Sequence, residues 1–144
     1  MDISNWIERW ADFAPDKTAI RFEGRDVTYR AFRDRVRATA RMLRSQLGVG
    51  RGDRVAFLGY NSPDMLALLF ACGRCGAMLV PLNWRLAPPE HAFILRHSGA
   101  KALFVESEFM TPIEKIKGDL AGCRIVPMSG RGGFDEMLGR SGGS

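Results

Sequence analysis

Apolar residues Ile3, Trp6, Ile7, Trp10 and Phe13 recur at i, i+3, i+4, i+7 and i+10, the stripe of an amphipathic helix. Pro15 and Asp16 end it. Thr18–Phe22 then reads as a strand, residues 23–26 (Glu-Gly-Arg-Asp) as a turn and residues 27–29 as the returning strand of a small hairpin. Thr28 also suits the N-cap of a helix running to about Leu47. On that helix Phe32, Val36, Ala40, Leu43 and Leu47 fall within about 80° of one another at 100° per residue, forming the buried face.

The pattern changes after Gly48. Residues 54–58, 77–80, 102–105 and 124–127 are four short, nearly continuous apolar runs. Helical stretches lie between them. The first is opened by Ser62 and Pro63 and runs to about Cys72; the second covers about 88–97 and stops at Ser98-Gly99. A third and weaker one runs from Thr111-Pro112 to about Lys117, while Pro81 helps close the second strand. Strand and helix alternating over short connections predict an α/β fold, a parallel sheet of doubly wound type with an N-terminal helix and small hairpin beside it. Runs apolar at both parities want cover on both sheet faces. The helices look too few for that, so an exposed apolar patch and an open edge strand are expected on the isolated chain. Residues 1–128 form the folded unit on this reading; residues 129–144 form a flexible Gly/Ser-rich tail with one helical turn at 134–138.

Composition narrows the class. The 144 residues are 46% hydrophobic and 26% charged, an ordinary globular balance, and one domain is what this length accommodates. The longest apolar run, 65–72, is far short of a bilayer-spanning helix. The start has neither a basic nor an apolar signal region, and three cysteines suit a reducing compartment, so a cytoplasmic location is expected. The net charge of +5 permits an anionic partner without requiring one. Arg30, Arg33, Arg37, Arg41 and Arg44 line one stripe of the long helix. Their plain reading is a solvated flank whose stems cover apolar edge; the alternative is a phosphate or anionic-lipid surface. No interleaved aromatics point to nucleic acid.

Few motifs carry chemistry. Cys72-x-x-Cys75 lies at the end of an apolar helix, where the dipole disfavours a thiolate, so two core-facing side chains are expected rather than a redox pair. Cys123, His91 and His97 give no second close pair for zinc. Gly48, Gly50 and Gly52 follow a helix and open a strand, the reverse of a dinucleotide loop. No Walker A lysine loop and no serine elbow occur. Both histidines read as surface helix residues. Spacing alone yields no complete catalytic constellation.

Several segments taken in order resemble the adenylate-forming (AMP-binding) superfamily. These are Ala14-Pro15-Asp16-Lys17-Thr18-Ala19, Val27-Thr28-Tyr29 leading into a helix, Gly50-x-Gly52-Asp53-Arg54-Val55 and Asn61-Ser62-Pro63. Gly76-Ala77-x-x-Val80-Pro81-Leu82-Asn83-x-Arg85-Leu86 and Glu90 complete the set. The match is to the start of the acyl-CoA synthetases and extends over about residues 3–106. It implies an incomplete portion of the large N-terminal domain of a carboxylic-acid–CoA ligase, with a fatty acid as the expected substrate. Such enzymes use ATP and Mg²⁺ to form an acyl-adenylate and pass the acyl group to coenzyme A. The family's Ser/Thr- and Gly-rich phosphate loop ending in Pro-Lys-Gly, and its catalytic Lys, have no counterpart in these residues. The resemblance therefore implies that this chain alone is inactive and holds no cofactor tightly. One role carries over: in some of these ligases the Arg at the position of Arg85 approaches the phosphates of the CoA nucleotide, with a local cap or pair as the alternative. Asn61 and Asn83 match turn positions. The implied partners are the remainder of the same enzyme and a small carboxylic acid, with no nucleic acid and no transmembrane segment; peripheral membrane contact stays open. The alternatives are a stand-alone nucleotide or CoA module, using loops 59–63 and 82–86, and an interaction fragment using the Arg stripe.

Overall fold

A computed structural model describes residues 3–141. Helix α1 (Ser4–Phe13) is followed by the antiparallel hairpin β1 (Thr18–Phe22) and β2 (Arg25–Thr28), and then by α2 (Tyr29–Leu47). Thr28 is the N-cap of α2, its hydroxyl accepting the Ala31 amide hydrogen at 3.1 Å. Next come β3 (Arg54–Leu58), α3 (Pro63–Cys75), β4 (Met78–Leu82), α4 (Pro88–Ser98), β5 (Ala102–Val105), α5 (Met110–Ile116), β6 (Arg124–Pro127) and α6 (Phe134–Ser141). The second sheet is wholly parallel, in the order β4-β3-β5-β6. The α/β doubly wound reading and the separate hairpin both hold.

Each strand feeds two cores. Val55, Phe57, Ala102, Phe104 and Val126 face α1, α2, α3 and α6; Ala56, Leu58, Leu103 and Val105 face α4 and α5. Both faces of the sheet are covered, so the patch expected over it is not there. Trp6, Trp10 and Phe13 of α1 are exposed and border an open groove of about 530 Å³, and Tyr60, Met78, Trp84 and Phe93 are exposed separately from them. The edge strands are β4 and β6.

Several boundaries move. Helix α3 runs on to Cys75, because the stop signal is Gly76 in the left-handed region (φ 74°) and not the end of the apolar run. Ala77 N–H then closes back on Cys72 O at 2.8 Å. Pro81 lies inside β4 rather than after it, opposite Phe57; an edge strand tolerates the lost donor. Within the segment read as a tail, residues 134–141 form α6. Phe134 and Met137 are buried, Arg35 lies over the Phe134 ring at 5.4 Å, and Gln46 donates to Met137 O at 2.8 Å. Burial worth on the order of 1.5–3 kcal/mol for each large side chain makes this short helix part of the core. Residues 142–144 of the expected tail lie outside the described residues.

The Arg stripe of α2 is not a simple solvated flank. Arg30 pairs with Asp16 (3.4 Å) and Arg33 with Asp12 (3.8 Å). Arg37 donates to Glu8 (2.7 Å) and Arg44 to Arg74 O (2.8 Å). Much of its charge is spent on holding α1, and that argues against an anionic surface as its purpose. Glu8 also receives Arg74 at 3.1 Å. The Arg37 hydrogen bond holds its carboxyl below the usual range, against the opposing effect of burial.

A depressed folded-state value means that Glu8 contributes stability above the unfolded value, about 4.3. The contribution is lost as pH falls through the folded value. Denaturant midpoints measured from pH 7 to pH 3 should therefore drop on acidification. Glu8→Gln should be less stable at pH 7 and flatter in the acid range; an unchanged profile would show that the pair adds nothing.

Candidate functional site

In a parallel sheet the carboxyl ends of the strands open toward ligand, above all where strand order reverses. Here the chain leaves β3 toward β4 on one side and returns to β5 on the other. The reversal brings the turn 59–62 after β3 beside the turn 106–109 after β5, with the loop 83–87 after β4 adjoining.

The crevice at the reversal is filled. Glu106 packs so closely on Gly59 that a Cβ there would lie 2.6 Å from its Cδ, so any larger residue would push the Glu106 side chain aside. Burial raises the Glu106 carboxyl above its ordinary value; a hydrogen bond from the Tyr60 backbone opposes this, and the charges of Glu108 and Asp64 add to the rise. Three acids around the start of α3 make this a poor place for a phosphate. Ser62 occupies the helix N-terminus as its cap, accepting from Met65 N–H at 3.2 Å.

The loop after β4 is different. Asn83 Oδ1 accepts the Arg85 amide hydrogen at 3.0 Å, a tight local turn. The Asn83 carbonyl lies 2.8 Å from His91 Nε2, and a carbonyl only accepts, so Nε2 carries the hydrogen. His91 is buried, not a surface residue as its polarity suggested, and its Nδ1 has no partner among the described residues. It shares the inward face of α4 with Ala92 and Leu95, and the spacing to Leu95 is the signal that could have found it. His97 is exposed and stacks on Phe93 at 5.7 Å.

Arg85 stands exposed at the carboxyl edge with its guanidinium carbon 4.9 Å from the Trp84 ring centre. Trp84 in turn meets Tyr60 at 5.2 Å and Phe109 at 6.3 Å, and Tyr60 meets Phe109 at 5.4 Å. One aromatic cluster thus ties together all three carboxyl-edge loops, including both loops singled out from sequence. Tyr60 and Phe109 were missed because nothing in turn segments so far apart signals that they meet. The Tyr60 hydroxyl donates to Glu108 at 3.2 Å.

The remaining candidates separate from this site. Cys72 is buried in the core and its thiol is pushed up to about 12, by burial first and by Cys75 second; Cys75 donates weakly to Ala40 O. That leaves no thiolate for redox chemistry. Among the described residues no group of three His, Cys, Asp or Glu side chains could hold a metal ion. No helix of the described residues is long and apolar enough to cross a membrane.

The chain superposes on the anthranilate CoA ligase AuaEII, solved with anthranoyl-AMP, at a TM-score of 0.91 and 30% identity, over 98% of this chain and 27% of that one. The sequence profile of the AMP-binding enzymes matches residues 7–138, and the chain belongs to that family. It is 44% identical to the indoleacetate–CoA ligase of Aromatoleum aromaticum over 99% of its length and 28% of the relative's. It is also 41% identical to the fatty acid–[acyl-carrier-protein] ligase ScoC of Streptomyces coeruleorubidus, over 74% of its length and 20% of the relative's. The chain thus spans roughly a quarter of the length of the relatives it matches.

Removing the His91 donor leaves the Asn83 carbonyl without its partner. His91→Leu should lower stability by about 1–3 kcal/mol in denaturant melts. His91→Gln, whose amide can reach as Nε2 does, should recover part of the loss. Equal melts for both variants would mean that the hydrogen bond is immaterial.

Proposed function

We propose that this chain forms part of a carboxylic-acid–CoA ligase. In that reaction the acid's carboxylate attacks the α-phosphate of ATP and releases pyrophosphate. The thiol of coenzyme A then displaces AMP from the acyl-adenylate to give the thioester. The observation that carries the reading is the 44% identity to the indoleacetate–CoA ligase over almost the whole chain. On this reading residues 1–128 are the N-terminal part of the adenylation domain, and α6 continues the same unit. The fatty-acid expectation keeps support from ScoC, but the indoleacetate and anthranilate ligases make an aromatic acid the first substrate to test. A cytoplasmic location belongs to the same proposal and is supported by three free thiols.

The residues present divide the cofactors. The 144 residues hold no Ser/Thr-Gly-rich loop ending in Pro-Lys-Gly, and the described ones form no metal cluster, so they offer ATP and Mg²⁺ no cradle of that kind. Arg85 fits a phosphate of the CoA nucleotide. It is exposed, has no carboxylate partner among the described residues, and presents a planar fork suited to two phosphate oxygens. The stand-alone nucleotide module is the weaker reading, because acids and the Ser62 cap occupy the β3–α3 turn where a phosphate cradle would be.

The test is a chimera in which these 144 residues replace the matching 28% of the indoleacetate–CoA ligase. The chimera should form indoleacetyl-CoA from ATP, indoleacetate and CoA, whereas the 144-residue chain alone should release no acid-dependent pyrophosphate. A folded but inactive chimera, or an active isolated chain, would overturn the reading. Within the chimera, Arg85→Ala should raise the KM for CoA and leave adenylate formation nearly intact. Equal loss in both half-reactions would assign Arg85 to structure.

A further inference from the structure

We propose that Trp84 is the positioning residue of Arg85: its indole, wedged against Tyr60 and Phe109, holds the guanidinium oriented at the carboxyl edge of the sheet before phosphate arrives. The proposal rests on the reading of Arg85 as a phosphate contact. An exposed arginine loses much rotamer freedom when it is fixed on a ligand, so a site that fixes it beforehand binds more tightly. Indole is the strongest of the aromatic partners for a cation, and the 4.9 Å separation lies well inside the range of such contacts. Trp84 cannot perform this role by itself, being 39% exposed on a loop. Its rigidity comes from Tyr60 and Phe109, contributed by the neighbouring loops, and from the backbone below, where Asn83 accepts from both Arg85 N–H and His91.

Two further features keep the arginine available. Both carboxylates of the loop after β5 are engaged elsewhere: Glu108 accepts from the Tyr60 hydroxyl, and Glu106 packs on Gly59. A guanidinium lying over a ring also keeps its N–H edge free, and that edge is the part that forks onto phosphate. The sequence neighbour of Arg85 is therefore a component of the site and not merely a bulky loop residue.

The experiment uses the ¹⁵N-labelled 144-residue chain for the Arg85 side-chain signals, and the chimera described above for titration with adenosine 3′,5′-bisphosphate, the phosphorylated nucleoside end of coenzyme A. In the free chain the Arg85 side-chain protons should show an upfield ring-current shift that Trp84→Ala abolishes and Trp84→Phe partly keeps. Trp84→Ala should weaken bisphosphate binding roughly two- to fivefold, the equivalent of an exposed cation–π contact. Trp84→Phe should weaken it less. In an Arg85→Ala background, Trp84→Ala should cost nothing further, because Trp84 acts through Arg85. Undiminished affinity in Trp84→Ala, an unshifted Arg85 in the wild type, or an equal loss in the Arg85→Ala background overturns the proposal. Binding that ignores Arg85→Ala overturns the phosphate reading beneath it, and the proposal falls with that reading even if the ring-current shift is present.

Discussion

Strand β3 pairs on both edges and faces a core on both sides. Val55 and Phe57 enter one apolar cluster, Ala56 and Leu58 the other, and β4 and β5 flank it in parallel. Because β4 and β5 lie on opposite sides of β3, right-handed crossovers must pass over opposite faces of the sheet. That places α3 with α1, α2 and α6, and leaves α4 and α5 to cover the other face. The same reversal collects three loops at one end of the sheet. The candidate site depends on this constraint before it depends on any polar residue.

At that end, charge divides the surface. The crevice between β3 and β5, where an open α/β sheet commonly receives its ligand, is occupied by Glu106 and ringed by acids. The single exposed guanidinium of the β4 loop stands beside it, over an aromatic base. Steric and electrostatic terms both disfavour an anionic group at the first place, while the second leaves a guanidinium exposed.

Ion pairs have a different role elsewhere. Glu8 between Arg37 and Arg74 joins α1 to α2 and α3, while Arg35 reaches Asp64 and Asp135, both at 2.8 Å, and joins α2 to α3 and α6. These pairs are only partly buried. Each is worth little alone; their value is in fixing how helices with apolar inner faces lie on one another. This accounts for a basic chain that shows one guanidinium over a ring at the candidate site and uses much of its arginine stripe to hold α1.

The elements, their order and the doubly wound class were legible in the sequence, because each rests on local physics. Hydrophobic period distinguishes strand from helix, Thr28 and Ser62 cap, and glycines stop helices. Family membership was legible for a related reason: motifs such as Pro81-Leu82-Asn83-x-Arg85-Leu86 preserve spacing along the chain. What only the tertiary structure decided depends on which segments meet. His91 looked like a surface polar residue until the packing of α4 buried it, and residues 134–141 looked like tail until α2 and the sheet offered Phe134 a place in the core. Tyr60, Trp84 and Phe109 carry no shared signal along the chain, yet the strand order makes them one cluster. A residue's own chemistry and near neighbours are written in sequence; its burial and distant partners follow from topology, which pairs positions that no local period relates.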